Sequence, residues 1–348
     1  MSVPAPRTSP LTGLGVTAPV LAAPMAGGPS TPALVAAAAR SGGMGFLAAG
    51  YKTAEQLEKQ VTEVRTVAPV FGVNLFAPNP VAVDPAAYRR YAEALRPLAE
   101  RYGVTLPPEP VEDDDQWEQK LDLLRHDPVP VVSFTFGIPS RQVIAALKSH
   151  GSVVAQTVTN AAEARAAVDA GVDMLAIQGW AAGGHSATLT PSRFPESAPT
   201  AALVAMIKDV TPLPVIAAGG LATPAQVAEV INAGAQAVMV GTALLRTAES
   251  GASAAHQAAI ADRSRNETVL TRSFSGRPAR GIRNRFIDEY DAIAPSGYPA
   301  LHHLTSPIRK AAAAAGHPEA VHLWAGTGYK QAAAGQAADV LRALAAAC

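Results

Sequence analysis

The 348-residue sequence has one cysteine, no excess of either charge and no long hydrophobic run. Because Cys348, the last residue, is the only cysteine, a disulfide framework and a cysteine-ligated zinc or iron–sulfur site within one chain are excluded. Lysine plus arginine and aspartate plus glutamate number 28 each, and no basic run is interleaved with aromatic residues, which argues against nucleic acid as a partner. No stretch approaches the roughly 18 consecutive apolar residues of a membrane span, so we expect no membrane partner.

The remaining composition points to a small-molecule partner. The histidines show no spacing with acidic residues that is typical of a metal site, so no metal is expected, and His302 and His303 are predicted to lie in a polar loop. Residues 1–10 are rich in proline and lack a continuous apolar stretch, so we predict no secretory signal and expect a cytoplasmic protein. The sequence leaves the oligomeric state open, with a homodimer as one alternative.

Short apolar runs bounded by glycine or proline recur along the chain, each followed by a segment of helical period. Helix starts are visible at Thr31, Thr53, Asn160 and Thr223. Eight buried strands alternating with helices indicate parallel βαβ units of the α/β class. We predict a TIM (β/α)8 barrel, with a doubly wound open sheet as the structural alternative. The predicted strands are 20–25, 44–49, 71–76, 129–136, 152–158, 174–178, 214–218 and 237–240.

Two regions interrupt this alternation. Residues 77–128 contain proline-rich loops, an acidic patch and two amphipathic helical stretches, and are predicted to be an insertion after the third strand. Residues 245–348 follow the last predicted strand. The barrel is therefore expected to comprise 1–76 and 129–244, and we expect the other two regions to form a cap on the substrate side, where active sites of this architecture lie.

Glycine-containing turns end the last two predicted strands. Gly219 and Gly220 precede a helix that starts with proline, and Gly241 and Thr242 follow Met239 and Val240. Such turns let backbone N–H groups approach a phosphate closely, and barrels of this kind often bind phosphate at this place. Tight strand-to-helix turns also use glycine for structural reasons alone. The presence of both loops favours a phosphate site.

The sixth predicted strand leads into the sequence Gly183-Gly184-His185. A lone histidine is often structural or merely exposed, but this one follows a glycine pair at the carboxyl end of a strand. We expect its ring at a bare, mobile turn on the catalytic face and not in a supported core position. Because imidazole is the usual general base near neutral pH, His185 is the candidate base.

Two amide side chains interrupt otherwise apolar strands. They are Asn74 in the third strand and Gln178 at the end of the sixth. Leaving a buried amide unpaired costs about 1–3 kcal/mol, so each should have a partner at the mouth of the barrel. The edge of a flavin ring or its ribityl chain is one candidate, and the backbone of a neighbouring loop is the other. Together with His185 and the two phosphate-type loops, these amides outline a site for a flat polar cofactor.

Short motifs occur in order along nearly the whole chain. They are A-P-M-A-G-G at 23–28, G-V-N-L at 72–75, S-F-T-F-G-I-P at 133–139, A-G-G-H at 182–185, A-A-G-G at 217–220, G-T at 241–242, S-G-R-P-A-R at 275–280 and W-A-G-T-G at 324–328. In this ordered set the sequence resembles the nitronate monooxygenase family, formerly called 2-nitropropane dioxygenases, in its bacterial class I form.

The resemblance implies an FMN-dependent oxidation with His185 as the base. Alkyl nitronates, or nitroalkanes that His185 deprotonates, would be oxidised by O2 to a carbonyl compound and nitrite. The flavin would be lined by Met25, Asn74, Gln178, Gly183, Gly184, Gly219, Gly220, Met239, Val240, Gly241 and Thr242.

The sequence departs from the family pattern beside His185. The family usually has an acidic residue before the Ala-Gly-Gly-His motif and a glycine two residues after the histidine, where this chain has Ala181 and Ala187. The neighbouring Trp180 could narrow the site above the flavin or pack under the cap. These changes leave the substrate preference open.

Two other functions compete with nitronate oxidation. One is that of an FMN-dependent NAD(P)H enoyl-thioester reductase, a sister barrel with the same glycine-glycine-histidine turn, and the other is that of a non-redox barrel for a phosphorylated metabolite. The motifs at 133–139 and 324–326 favour the monooxygenase over the reductase. No paired acid and lysine stands at the strand ends, which argues against the non-redox alternative.

Overall fold

Parallel strands form the central barrel of the computed structural model, which describes residues 9–348. The strands are β1 (Val20–Ala22), β2 (Phe46–Ala48), β3 (Gly72–Phe76), β4 (Val131–Thr135), β5 (Val153–Val158), β6 (Met174–Gln178), β7 (Gly184–His185), β8 (Val215–Ala218), β9 (Ala237–Val240), β10 (Thr268–Thr271) and β11 (Ala279–Ile282). Eight of them are hydrogen-bonded in the order β1-β9-β8-β6-β5-β4-β3-β2, and a bridge between Ala22 and Gly45 joins the two ends of the sheet. The TIM-barrel prediction is confirmed, and the open doubly wound sheet is not formed.

The barrel strands are apolar on both faces. In β1, for example, Val20 and Ala22 pack against the surrounding helices, whereas Leu21 packs inside the barrel. Both faces are buried, which explains why the sequence shows continuous apolar runs and no alternation with polar residues. The predicted run 20–25 exceeds β1 because Pro24 and Met25 leave the sheet to line the cavity described below.

Helices surround the barrel and also cover its carboxyl end. Thr31, Thr53, Asn160 and Thr223 cap helices as predicted, each accepting a backbone N–H. The helices are α1 (Pro10–Gly13), α2 (Pro32–Arg40), α3 (Ala54–Arg65), α4 (Pro85–Tyr102), α5 (Trp117–His126), α6 (Arg141–Ser149), α7 (Ala161–Ala170), α8 (Thr200–Lys208), α9 (Pro224–Asn232), α10 (Ala254–Ala261), α11 (Arg285–Tyr290), α12 (Ala300–Ala314) and α13 (Ala337–Ala345).

A second apolar cluster lies apart from the barrel core. It combines α4 with α10, α11 and α12, and α4 packs directly on α12. A small antiparallel sheet of β10, β11 and β7 ties this cluster to the barrel, with Ala279 of β11 opposite His185 of β7. The segment after the barrel strands therefore reaches the candidate base through backbone pairing.

Two helices assigned by sequence to the insertion and the cap lie in the outer layer of the barrel instead. Leu121 and Leu124 of α5 and Leu341 and Leu344 of α13 are buried in the barrel core. The regions 77–128 and 245–348 are therefore not wholly cap. An amphipathic pattern shows that a helix buries one face but not which surface it covers. With this change, the division into barrel, insertion and cap stays a proposal.

Two observations of the structure concern a membrane and a metal ion. No helix in the described part of the chain is long and apolar enough to cross a membrane. Within residues 9–348, no three His, Cys, Asp or Glu side chains are grouped so that they could hold a metal ion. The prediction that no secretory signal is present concerns residues 1–10, of which 1–8 lie outside the described residues.

Because α13 completes the outer layer, Leu341→Ala is expected to lower the free energy of unfolding by about 2–5 kcal/mol, the usual cost of truncating a core leucine. Leu341 is 1% exposed. Urea denaturation measures the effect. The neighbouring Arg342→Ala is the control, since its side chain is 54% exposed and pairs only with Asp339, and it should cost less than about 1 kcal/mol. Equal small losses would show that α13 is not part of the folded core.

Candidate active site

A cavity of about 900 Å³ opens at the carboxyl ends of the barrel strands. Its size suits a cofactor together with a small substrate. All of the site residues predicted from sequence line it, so the fold brings them together although their roles are not thereby tested. They are Met25, Asn74, Gln178, Gly183, Gly184, His185, Gly219, Gly220, Met239, Val240, Gly241 and Thr242.

The two glycine loops provide unpaired backbone donors. The N–H groups of Gly219, Gly220 and Gly241 have no acceptor among the described residues. Gly220 has a φ of +73°, and a Cβ atom there would lie 2.7 Å from the Cβ of Ala181 and 2.9 Å from Oγ1 of Thr327. A side chain is thus excluded where the backbone meets the cavity. These features fit a bound anion such as a phosphate.

A glycine segment near the carboxyl terminus joins these loops. The N–H of Gly326 donates to Oγ1 of Thr242 at 3.0 Å, and both Gly326 and Gly328 line the cavity. A Cβ atom on Gly183 would lie 2.5 Å from the backbone of Ala325, so the two glycine segments are in contact. The motif at 324–328 supported the family resemblance, but the sequence did not indicate that it would line the site.

The two predicted amides have protein partners. Nε2 of Gln178 donates to the carbonyl of His185 at 3.0 Å, and Oε1 accepts from the N–H of Ala187 at 2.7 Å. Nδ2 of Asn74 donates to Oγ of Ser133 and Oγ1 of Thr135, at 2.9 and 3.0 Å. For Gln178 the partner is the loop backbone, the second of the two alternatives. Gln178 therefore fixes the loop that carries His185.

The ring of His185 is held on several sides, contrary to the bare, mobile turn expected from sequence. Nε2 lies 2.7 Å from Oγ of Ser275. The rings of Phe136, Tyr298 and Trp324 surround the imidazole, with centroid distances of 5.8, 5.7 and 5.5 Å. Three of these four neighbours come from residues 275–324, which explains why the local sequence around the glycine pair did not indicate them.

Burial lowers the pKa of His185 from its ordinary value to about 3, and the positive charges of Arg277 and Arg309 contribute in the same direction. A histidine whose pKa is depressed is neutral at pH 7 and takes up a proton only in strong acid. His185 can therefore accept a proton or a hydrogen bond near neutral pH, but as a base it is weaker than an ordinary imidazole.

Positive charge dominates the cavity wall. Lys52, Lys59, Arg309 and Lys310 line it, and none of its lining residues is an aspartate or glutamate. Arg309 is 6% exposed and donates to Oγ1 of Thr305 and to the carbonyl of His302 at 3.0 and 2.8 Å. In the described part of the chain it forms no ion pair. A buried cation without a carboxylate favours an anionic ligand.

Arg277 is a second buried cation near the site. It is fully buried, donates to the carbonyls of Ser186 and Thr188, and lies with its guanidinium 4.0 Å from the ring centroid of Phe136. It forms no ion pair within residues 9–348, although the charge of Glu163 acts on it from a greater distance. Its hydrogen bonds to these two carbonyls hold the loop after His185. Its positive charge helps to lower the pKa of the imidazole.

Aromatic residues that sequence reasoning missed form one wall of the cavity. Tyr51 stacks on His302 with ring centroids 4.1 Å apart and planes 4° apart, and its edge faces Phe76. His302 lies in α12 and lines the cavity, so its prediction as a loop residue was wrong. Trp180 lies under Arg280, whose guanidinium is 4.5 Å from the indole centroid, and not above the cavity.

The fold and the site define a (β/α)8 barrel with a cationic cavity at the carboxyl ends of its strands. The nitronate monooxygenase family model matches residues 8–346, and the chain belongs to this family. A probable nitronate monooxygenase of Staphylococcus aureus strain Newman is 39% identical over 318 residues, which cover 90% of this chain and 89% of the relative.

Two solved structures show the same architecture. The nitroalkane oxidase from Streptomyces ansochromogenes is 43% identical, with a TM-score of 0.90 and coverage of 96% of both chains. FabK from Thermotoga maritima is 25% identical, with a TM-score of 0.75 and coverage of 97% of this chain and 94% of its own. The similarity is thus higher to the enzyme named for nitroalkanes.

Arg309→Met is expected to raise the pKa of His185, because the substitution removes one of the two positive charges that disfavour the imidazolium. The titration of His185 is followed by NMR of labelled histidine and assigned with His185→Asn. Lys310→Met, an exposed neighbour on α12, is the matched control and should move this pKa less. An ordinary pKa near 6.5 in the unaltered protein would contradict the burial of His185.

Proposed function

We propose that this protein is an FMN-dependent enzyme that oxidises alkyl nitronates with O2 to a carbonyl compound and nitrite. The observation that carries the proposal is a single cavity in which unpaired N–H groups of Gly219, Gly220 and Gly241 occur together with His185 and a wall that is cationic and free of carboxylates. The similarity to a nitroalkane oxidase supports a nitro compound as the substrate.

The glycine loops support FMN as the cofactor. They would form one phosphate site, and no second glycine fingerprint of the kind that holds an adenine dinucleotide follows a strand, which favours FMN over FAD. Met25, Asn74, Gln178, Gly183 and Gly184 would line the ring and ribityl chain, while the loops 219–220 and 239–242 would hold the phosphate. Bound FMN would supply the redox chemistry, taking electrons from the substrate and passing them to O2.

The protein's own charges favour the nitronate anion over the neutral nitroalkane. Arg309 and Arg277 carry buried positive charge near His185, and neither forms an ion pair among the described residues. A nitronate would be attracted by this charge without any proton transfer, whereas a neutral nitroalkane must first lose a carbon proton to His185. Because the pKa of His185 is about 3, that proton transfer has little driving force. We therefore expect neutral nitroalkanes to be the slower substrates.

The experiment that tests the proposal measures cofactor and reaction together. The purified protein should release FMN on heating, and ethylnitronate with O2 should yield nitrite without NADH or NADPH. If the protein is instead the enoyl-thioester reductase that the sequence leaves as an alternative, the opposite pattern is expected. Anaerobic bleaching of the flavin by NADH or NADPH, with reduction of an enoyl thioester and no nitrite from ethylnitronate, would establish the reductase. Recovery of FAD, or of no flavin after reconstitution, would contradict the assigned cofactor.

His185→Asn is expected to reduce turnover of nitroethane by at least about 100-fold, the usual effect of losing a general base, while much of the ethylnitronate oxidation remains. Only the neutral substrate needs a proton removed. Oxygen consumption with each substrate is the measurement. His256→Asn is the control, because His256 is a second buried histidine of the cavity, bonded to the carbonyl of Trp324. If His185→Asn slowed both substrates equally, His185 would instead organise the flavin or the nitro group.

A homodimer is one alternative for the oligomeric state and stays a prediction. Sedimentation of the purified protein measures the oligomeric state.

A further inference from the structure

Four non-glycine residues in the described part of the chain have a left-handed backbone, and they lie at one corner of the cavity or directly behind it. They are Tyr51, Asp115, Gln116 and Phe136, with φ of 67°, 58°, 53° and 81°. Tyr51 and Phe136 line the cavity, whereas Asp115 and Gln116 bond to the turn that carries Tyr51. Residues other than glycine rarely adopt this backbone conformation, and where they do the surrounding structure must hold them in it.

The turn between β2 and α3 is held at three points by the segment before and within α5. The N–H of Tyr51 donates to Oδ1 of Asp115 at 2.9 Å, and the N–H of Ala54 donates to Oε1 of Gln116 at 2.9 Å. Nζ of Lys120 donates to the carbonyl of Ala49 at 3.0 Å. These bonds fix the backbone on both sides of Tyr51.

Asp115 and Lys120 form a buried ion pair behind this turn. Oδ2 of Asp115 lies 2.7 Å from Nζ of Lys120, and the Lys120 side chain is 1% exposed. Burial raises the pKa of Asp115 and lowers that of Lys120, because each loses hydration. A pair of this kind adds little net stability over apolar residues of the same volume. Its specific effect here is to present Oδ1 of Asp115 to the N–H of Tyr51.

Tyr51 connects this ion pair to the reacting region. Its ring stacks on His302, and its hydroxyl accepts a hydrogen bond from the hydroxyl of Tyr298 at 3.4 Å. The ring of Tyr298 in turn lies 5.7 Å from that of His185. A rotation at Tyr51 would therefore move the aromatic wall that bounds the space beside His185.

We propose that Asp115, supported by Lys120, is a positioning residue that fixes Tyr51 as the wall of the substrate compartment and so limits the length of the alkyl chain accepted. The inference rests on the proposed function, since it assigns the compartment to an alkyl nitronate. Neither Asp115 nor Lys120 lines the cavity, so both would act through Tyr51.

Two double variants separate the hydrogen bond from the ion pair. Asp115→Ala/Lys120→Met removes both charges and the acceptor for the N–H of Tyr51. Asp115→Asn/Lys120→Met also removes both charges but keeps an acceptor oxygen at the same place. The ratio of kcat/KM for hexylnitronate to that for ethylnitronate should rise on the order of 10-fold in the alanine variant, the scale of discrimination by pocket size. Both variants lose the bond of Lys120 to the carbonyl of Ala49 and differ in the acceptor for the N–H of Tyr51, so the asparagine variant should reverse most of this rise.

The alanine double substitution in a protein that already carries Tyr51→Leu is the decisive control. If Asp115 acts through Tyr51, the alanine double substitution should leave the ratio unchanged in that background. The same rise in both backgrounds would overturn the proposal. Should the alanine double variant fail to fold, Gln116→Ala removes only the acceptor for the N–H of Ala54, and is expected to raise the ratio in the same way. An unchanged ratio there would also overturn the proposal.

Hydrogen exchange tests the positioning without any turnover. The amide of Tyr51 should exchange faster in the alanine variant than in the asparagine variant, with flavin content equal in both. Equal exchange would overturn the role of Asp115 while leaving nitronate oxidation intact. Absence of nitrite production by the unaltered protein would instead overturn the proposed function and, with it, the selection of chain length by Tyr51.

Discussion

Buried positive charge that no ion pair neutralises is the constraint on which the site depends. Arg309 and Arg277 each place a guanidinium beside His185, and their donors are used by carbonyls, a hydroxyl and ring nitrogens. Most donors of the two guanidinium groups are bonded, but Nη1 of Arg277 has no partner among the described residues, and neither charge is neutralised by an ion pair there. Burial is the main cause that keeps His185 neutral, and the two positive charges add to it. The same charges attract an anion to the cavity, which is the basis of the proposed preference for a nitronate over its neutral acid.

The charged groups reach the site because the chain returns over the mouth of the barrel after its last strand. Arg309 and His302 lie in α12, and β11 pairs with β7 so that Ala279 stands opposite His185. On the barrel side, the amide of Gln178 bonds to the carbonyl of His185 and to the N–H of Ala187. The imidazole is thus held between two parts of the chain distant in sequence, which gives a fixed site from a loop that contains two adjacent glycines.

The sequence was most informative where local chemistry determines structure. Continuous apolar strands and capped helices predicted the barrel, and the turn at Gly219 and Gly220 could be recognised because close neighbours exclude a side chain there. It was least informative where distant segments meet. The stacking of Tyr51 on His302 joins residues 251 positions apart, and no local pattern indicates such a contact. The placement of α5 and α13 failed for the same reason, since an apolar helix face does not specify its partner.

We propose that this cavity accepts a nitronate anion, whose oxidation needs no strong base. Anaerobic mixing of the flavin-loaded protein with ethylnitronate or with nitroethane at pH 7 tests it most directly, with flavin absorbance as the readout. The account predicts that ethylnitronate reduces the flavin on the order of 100-fold faster than nitroethane, the scale of a missing proton transfer. Equal rates with the two compounds, or reduction only by NADH or NADPH, would contradict it.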